Sequence, residues 1–348
     1  MTEAQPVDAS MAVDEEMVQV LAPQGEFSQL SSQVPPSSIY FRNLLDVENT
    51  TAFCIRNRHV MTLAQQNTWT SLSPCHFYHA RLVTLPGMNT CLVVGGSENI
   101  EGTKPTNKVF AISKEATVEK KPMTVPRSKV CLTVCEVRSE QNAFFNKTFA
   151  FAIGGMSKDN KTLKTVEQFN VKANVWRSLS DLNVARSCAS AGVLGDYLYV
   201  FGGAELETSI ERFNLKASMT RVVEKFDLLE IRLPIGASEI GIVPLPNNQE
   251  LMLIGGFGGA PNEKEKSLTQ RLKFIAVATT TEDGSQNSTD FVMEDLSQTQ
   301  NEELTMQPDF FQAGQMIIPD VSKTLIFGAQ YVHAFNGSTF LASDKTHQ

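Results

Sequence analysis

A double glycine closes an apolar run four times in this chain. The copies are Cys91-Leu92-Val93-Val94-Gly95-Gly96, Phe149-Ala150-Phe151-Ala152-Ile153-Gly154-Gly155, Tyr197-Leu198-Tyr199-Val200-Phe201-Gly202-Gly203 and Leu251-Met252-Leu253-Ile254-Gly255-Gly256. Their first glycines are separated by 59, 48 and 53 residues, and a degenerate fifth copy, Thr324-Leu325-Ile326-Phe327-Gly328-Ala329, follows 73 residues later. After each pair come a polar loop and a second strand-like run, as in Thr165-Val166-Glu167-Gln168-Phe169-Asn170 and Ser209-Ile210-Glu211-Arg212-Phe213-Asn214. A turn and a tryptophan follow in Asn174-Val175-Trp176, and Asn67-Thr68-Trp69 looks like the same element of an earlier copy. Self-similarity at this period marks a repeat architecture in which no unit can bury its faces alone. Two glycines at a strand end allow backbone angles closed to other residues and let a neighbouring chain come close.

Composition limits what such a chain can do. Of 348 residues, 42% are hydrophobic and 20% charged, enough for a sizeable core. The net charge of −8 argues against a nucleic-acid partner, which needs a basic field. No apolar run approaches the roughly 18 residues of a spanning helix, so no membrane partner is expected. Residues 1–37 contain Glu3, Asp8, Asp14, Glu15, Glu16 and Glu26 but no Lys or Arg. This acidic stretch ends in Ser31-Ser32-Gln33-Val34-Pro35-Pro36 and is expected to be a disordered tail. Within it, Met11 to Leu21 has apolar residues at near-helical spacing, either by chance or as a short docking peptide. The N-terminus has neither a basic region nor an apolar core of signal-peptide type, so a cytoplasmic protein is expected. Its six cysteines (54, 75, 91, 131, 135 and 188) include no C-x-x-C pair and are expected to be reduced.

From residue 38 onward the repeat resembles the kelch motif, which forms one four-stranded blade of a β-propeller. The resemblance is sharpest between Arg127 and Phe213. It implies an all-β, six-bladed kelch-type β-propeller behind the acidic tail, with blades at about 38–74, 75–126, 127–185, 186–235, 236–305 and 306–348. The glycines named above, Gly95, Gly96, Gly154, Gly155, Gly202, Gly203, Gly255, Gly256 and Gly328, are then structural. An acidic, polar insertion lies between Thr279 and Thr305 in the outer part of the fifth repeat. Kelch proteins of ubiquitin ligases usually carry a BTB or F-box domain, and residues 1–37 are too short for either, so a stand-alone kelch protein is expected.

The search for catalytic chemistry finds little. The histidines, at 59, 76, 79, 333 and 347, form no zinc motif, and no G-x-S-x-G elbow or phosphate loop is present. His76 and His79, three apart, would point to opposite faces of a strand. Tyr197 and Tyr199 alternate in a buried pattern and read as core. No metal, cofactor or catalytic residue is assigned.

The resemblance also implies binding residues. In kelch propellers that receive protein ligands, an Arg-Ser pair often begins the innermost strand and surrounds the channel mouth. Arg127-Ser128 and Arg186-Ser187 match, with Phe77-Tyr78, Ala237-Ser238 and Phe310-Phe311 at the corresponding places. Two guanidinium forks would receive an acidic peptide. Alternatively, these pairs are structural, covering the rim and satisfying loop carbonyls. The function implied is a non-enzymatic scaffold or adaptor, such as a ligase substrate receptor, a cytoskeletal scaffold or a subunit of a large assembly, with the tail as a second docking element. The alternative is an enzyme resembling the sialate mutarotases, with Arg127 and Arg186 gripping a carboxylate beside His79.

Overall fold

A computed structural model of the protein describes residues 39–42, 53–56, 58–63, 69–85, 88–139, 147–216, 224–244, 250–259, 266–267, 271–280, 286–295, 317–319, 324–327, 331–335 and 340–345. The tail and Gly328 lie outside them. Among the described residues there are only strands, turns and bridges, without a helix.

In chain order the strands are β1 (Ile39–Arg42), β2 (Phe53–Arg56), β3 (His59–Leu63), β4 (Trp69–Pro74), β5 (Arg81–Leu85), β6 (Thr90–Val94), β7 (Val109–Ser113), β8 (Thr117–Lys120) and β9 (Cys131–Ser139). Next come β10 (Lys147–Ile153), β11 (Val166–Asn170), β12 (Val175–Ser178), β13 (Ser190–Leu194), β14 (Tyr197–Phe201), β15 (Ser209–Asn214), β16 (Asp227–Arg232), β17 (Gly236–Ser238), β18 (Gly241–Pro244) and β19 (Glu250–Ile254). The last are β20 (Phe257–Gly259), β21 (Lys266–Ser267), β22 (Arg271–Thr280), β23 (Gln286–Asp295), β24 (Ile317–Pro319), β25 (Thr324–Phe327), β26 (Tyr331–Phe335) and β27 (Phe340–Lys345).

These form antiparallel meanders: β2-β3-β4, β5 to β8, β9 to β12, β13 to β16, β18-β19-β22-β23 and β24 to β27, with a small sheet of β17, β20 and β21 beside the fifth. We refer to the meanders as the first to sixth sheets. The inner strands β5, β9, β13 and β18 pack side by side in that order, so successive sheets lean on one another as propeller blades do.

The apolar runs before the glycines explain the stacking. Successive side chains of a strand point to opposite faces. On β10, Phe149, Phe151 and Ile153 join a core shared with the fourth sheet, while Ala150 and Ala152 join one shared with the second. On β14, Leu198 and Val200 face the third sheet, and Tyr199 and Phe201 face the fifth. On β6, Cys91 and Val93 face the first sheet, and Leu92 and Val94 the third. Each core thus lies between two sheets and belongs to neither. Burial pushes the Tyr199 hydroxyl up to about 12 and the Cys131 thiol up to about 12. Cys75, Cys131, Cys135 and Cys188 are free thiols.

The Asn-x-Trp element fastens a sheet to its predecessor. Asn174 Oδ1 accepts the Lys121 N–H at 2.9 Å, and Trp176 Nε1 donates to the Lys121 carbonyl at 2.8 Å. The indole stacks on Phe169 with centroids 4.8 Å apart. One residue at the end of the second sheet is therefore held at both its backbone groups by the third.

The double glycines make the closest joint. The eight glycines of the four pairs have φ between 57° and 138°. A Cβ on Gly154 would lie 2.2 Å from the Arg186 carbonyl of the next sheet, and one on Gly202 2.1 Å from that of Ala237. In the first three pairs the second glycine donates to the carbonyl of the next sheet's turn: Gly96 to Arg127 (2.9 Å), Gly155 to Arg186 (2.8 Å) and Gly203 to Ala237 (2.9 Å).

Three expectations change. Residues 39–42, placed in the first blade, pair instead with the last four residues of nine-residue β9 in the third sheet, on the edge opposite β10. The insertion is partly a strand: β23 pairs with ten-residue β22, and Phe291 stacks on Phe274 at 5.6 Å against the fourth sheet. Phe291 and Met293, flanked by acids in the sequence, anchor it, while Val292 between them is exposed. His76 and His79 lie in a turn rather than a strand, with His79 at φ 54°.

The joint gives a graded prediction. Gly154→Ala combines left-handed strain with a backbone clash and is expected to cost roughly 2–5 kcal/mol. Gly195→Ala, at φ 56° with nothing within 4 Å of the new Cβ, should cost only about 1–2 kcal/mol. Urea denaturation of both variants measures the difference, and equal losses would show that the close approach is not limiting.

Candidate functional site

The turn that leads into each inner strand decides what these sheets present at their glycine-loop end. Arg127 and Arg186 occupy this turn in the third and fourth sheets, as the sequence predicts, but they do not line an open mouth: both are at most 1% exposed. Arg127 Nη1 donates to the carbonyls of Gly154 (2.7 Å) and Thr165 (2.8 Å), and Nη2 to Glu167 Oε1 (2.7 Å). Arg186 repeats the pattern with Gly202 (2.7 Å), Ser209 (2.9 Å) and Glu211 Oε1 (3.0 Å). Each carboxylate is saturated from behind. Glu167 accepts the N–H groups of Thr124 and Val125, and Glu211 those of Asn183 and Val184. Burial pulls the Arg127 guanidinium below its ordinary value, opposed by Glu167.

These arginines are rivets. The side chain ties together two strands and the glycine turn of its own sheet, while the main-chain carbonyl holds the preceding sheet's glycine. The structural reading of the Arg-Ser pair therefore describes their surroundings, and a partner cannot reach the guanidinium groups. Ser128 is buried and donates to the Gly102 carbonyl at 3.1 Å. Ser238 donates to the Phe257 carbonyl at 3.1 Å. In the second sheet Phe77 packs on Phe110 at 6.2 Å, and Tyr78 lies under Arg58 at 4.4 Å. Phe310 and Phe311 lie outside the described residues.

The residue after each pair carries the surface. His79, Lys129, Cys188 and Glu239 all adopt left-handed backbone angles, φ 51° to 55°. Each of the last three donates its N–H to the carbonyl of the one before: Lys129 to His79 (3.2 Å), Cys188 to Lys129 (2.9 Å) and Glu239 to Cys188 (2.8 Å). A hydrogen-bonded chain thus links four sheets, and its strain persists because the surrounding structure over-determines it. Arg81 of the second sheet donates to Glu239 of the fifth, crossing the space that the inner strands enclose.

Beside this chain, between the third and fourth sheets, lies a cleft of about 380 Å³. Lys129, Asn160, Lys161 and Thr162 line one side, and Ser187, Cys188 and Glu205 the other. Neither lysine has an ion-pair partner among the described residues, so two ammonium groups face a single carboxylate. The cleft suits an acidic side chain, and its walls are fixed turns. Reading the sequence missed Lys129 and Lys161. Lys129 follows the Arg-Ser pair directly, but its outward turn comes from a backbone angle that composition does not show. No group of three or more His, Cys, Asp or Glu suited to a metal occurs among the described residues.

The rivets set an expected cost. Arg186→Ala leaves Glu211 buried without its cation and should destabilise the protein by about 3–5 kcal/mol. Chemical denaturation reads this directly, and a loss below 1 kcal/mol would contradict the rivet role.

Comparison with known proteins agrees with this architecture. Residues 151–183 match the Kelch motif family. This stretch runs from β10 through the glycine pair to Trp176 and beyond. The chain is 20% identical to Kelch-like protein 40 of Xenopus laevis over 72% of this chain and 40% of that protein. It is 26% identical to Kelch-like protein 38 of Homo sapiens over 51% of this chain and 29% of that protein. It is 31% identical to an F-box/kelch-repeat protein of Arabidopsis thaliana over 20% of this chain and 17% of that protein. The chain therefore spans less than half the length of each of these relatives. The motif match, the repeated glycine joints and the meander sheets together show a chain that carries a Kelch motif, is similar to kelch-repeat proteins, and has the strand architecture of a β-propeller.

Proposed function

We propose that this protein is a non-catalytic interaction module: a six-bladed ring, one blade per meander, whose glycine-loop face receives an acidic segment of a protein partner. The observation that carries this reading is the cleft between the third and fourth sheets, where neither Lys129 nor Lys161 has an ion-pair partner among the described residues; Lys129 stands on a turn held by the hydrogen-bonded chain, and Lys161 closes a turn in which its carbonyl accepts the Ser157 N–H. Rigid turns reduce the ordering cost of binding, and paired ammonium groups select carboxylates. Free thiols fit a reducing, cytoplasmic setting. The Kelch-like relatives support an interaction role in general terms.

The sialate-mutarotase-like alternative loses its support. It needs Arg127 and Arg186 to grip a substrate carboxylate, and both are already committed to buried glutamates. His79 Nε2 is engaged 2.6 Å from the Ile100 carbonyl.

Purification of the tagged full chain from its own cells, wild type against Lys129→Glu/Lys161→Glu, tests the proposal. The double variant should lose its principal partners by roughly tenfold or more, since like charges now meet at the cleft. Its melting temperature should match the wild type, because neither lysine takes part in an ion pair among the described residues. Partners recovered at unchanged abundance would overturn the reading.

A further inference from the structure

β9 is built longer than its role as an inner strand needs. Its counterparts β5, β13 and β18 have five, five and four residues, while β9 has nine. β10 pairs with Cys131 to Val137 and leaves Arg138 and Ser139 beyond its reach. The end of β9 pairs on its other edge with β1, in the register Ile39 to Ser139, Tyr40 to Arg138, Phe41 to Val137 and Arg42 to Glu136. That edge faces the enclosed space, because β9 is flanked by β5 and β13 and β1 also approaches β13. Among the described residues, the inner strand ends the sheet in the second, fourth and fifth sheets. In the third, β1 is added beyond it.

From this we infer that the channel-side edge of β9, Glu136 to Ser139, is a strand-binding site, filled in this structure by residues 39–42 of the same chain, which an extended peptide of a partner can displace. An inner edge offers backbone N–H and C=O groups to any strand, so the main chain supplies affinity and the register supplies selectivity. The segment that fits carries an apolar or aromatic residue in register with Val137, which is fully buried, and a basic one in register with Glu136. Glu136 already accepts from Arg138 Nη2 at 2.7 Å, within a side chain that is 15% exposed. The occupant is suited to exchange. It is four residues long, ends the sheet, and is joined to β2 by ten residues, a reach of up to about 33 Å. This inference is independent of the lysine cleft, which lies at the opposite end of β9, beside its first residues.

The test uses the full chain with Tyr40→Pro and Phe41→Pro. Alternate N–H groups of a strand point to its partner, so substituting two successive positions removes at least one bond of the ladder. The probe is a fluorescein-labelled peptide of residues 37–45. We expect saturable binding to the variant at least tenfold tighter than to the wild-type chain, whose edge is occupied. A peptide carrying the same two prolines should not bind. Hydrogen exchange at Glu136 to Ser139 should accelerate in the variant, while the amides of β10 and β14 stay protected, which also reports that the ring is folded. Equal peptide binding by both chains, or no binding by a variant whose β10 and β14 amides remain protected, overturns the inference. If those amides lose protection, the substitutions have unfolded the ring, so β1 is structural and the inference is likewise overturned.

Discussion

The contact on which the rest depends is the approach of one backbone to another at the glycine pairs. The first glycine leaves no room for a Cβ beneath the next sheet's carbonyl, and the second donates a hydrogen bond to it. Everything else at the sheet boundary follows from that spacing. The apolar residues of β6, β10 and β14 can interdigitate with their neighbours only when the sheets sit this close, and a sheet flanked on both sides needs both faces apolar. This is why the runs before the glycines read as continuous rather than alternating hydrophobic stretches.

The carbonyl matters more than the side chain that carries it. Arg127, Arg186 and Ala237 all supply the carbonyl, although only the first two have a guanidinium. Where arginine is present, it adds a second, charge-assisted fastening to Glu167 or Glu211 within its own sheet. Alanine at this place in the small sheet beside the fifth shows that this addition is not obligatory for the joint. The left-handed residues that follow, from His79 to Glu239, then complete a path of main-chain bonds from sheet to sheet, and the pair of Arg81 and Glu239 spans the space between sheets that are not neighbours in sequence.

Much of this was legible in the sequence because it is periodic. The glycine pairs recur every 48 to 59 residues, with aromatic-Asn strand ends after two of them, and these marked the repeat and the propeller architecture. What could not be read was whatever depends on pairings between distant segments. Tyr40 and Phe41 look like the start of a first repeat, and only the unusual length of β9 shows where such a strand pairs. Arg127 and Arg186 could be located but not their exposure, because the glutamates that bury them lie 40 and 25 residues away on another strand. Phe291 is hidden in an acidic stretch, yet its ring completes the core between the fourth and fifth sheets. The lysines of the cleft carry no motif at all.

Native-state hydrogen exchange at Gly96, Gly155 and Gly203 probes the joints most directly. If the sheets are stable only through one another, these amides exchange with the same opening free energy as the centres of β6, β10 and β14, because no joint opens while its strands remain folded. Rapid exchange at the three glycines beside fully protected strands would show sheets that stand without their neighbours, and would contradict the dependence described above.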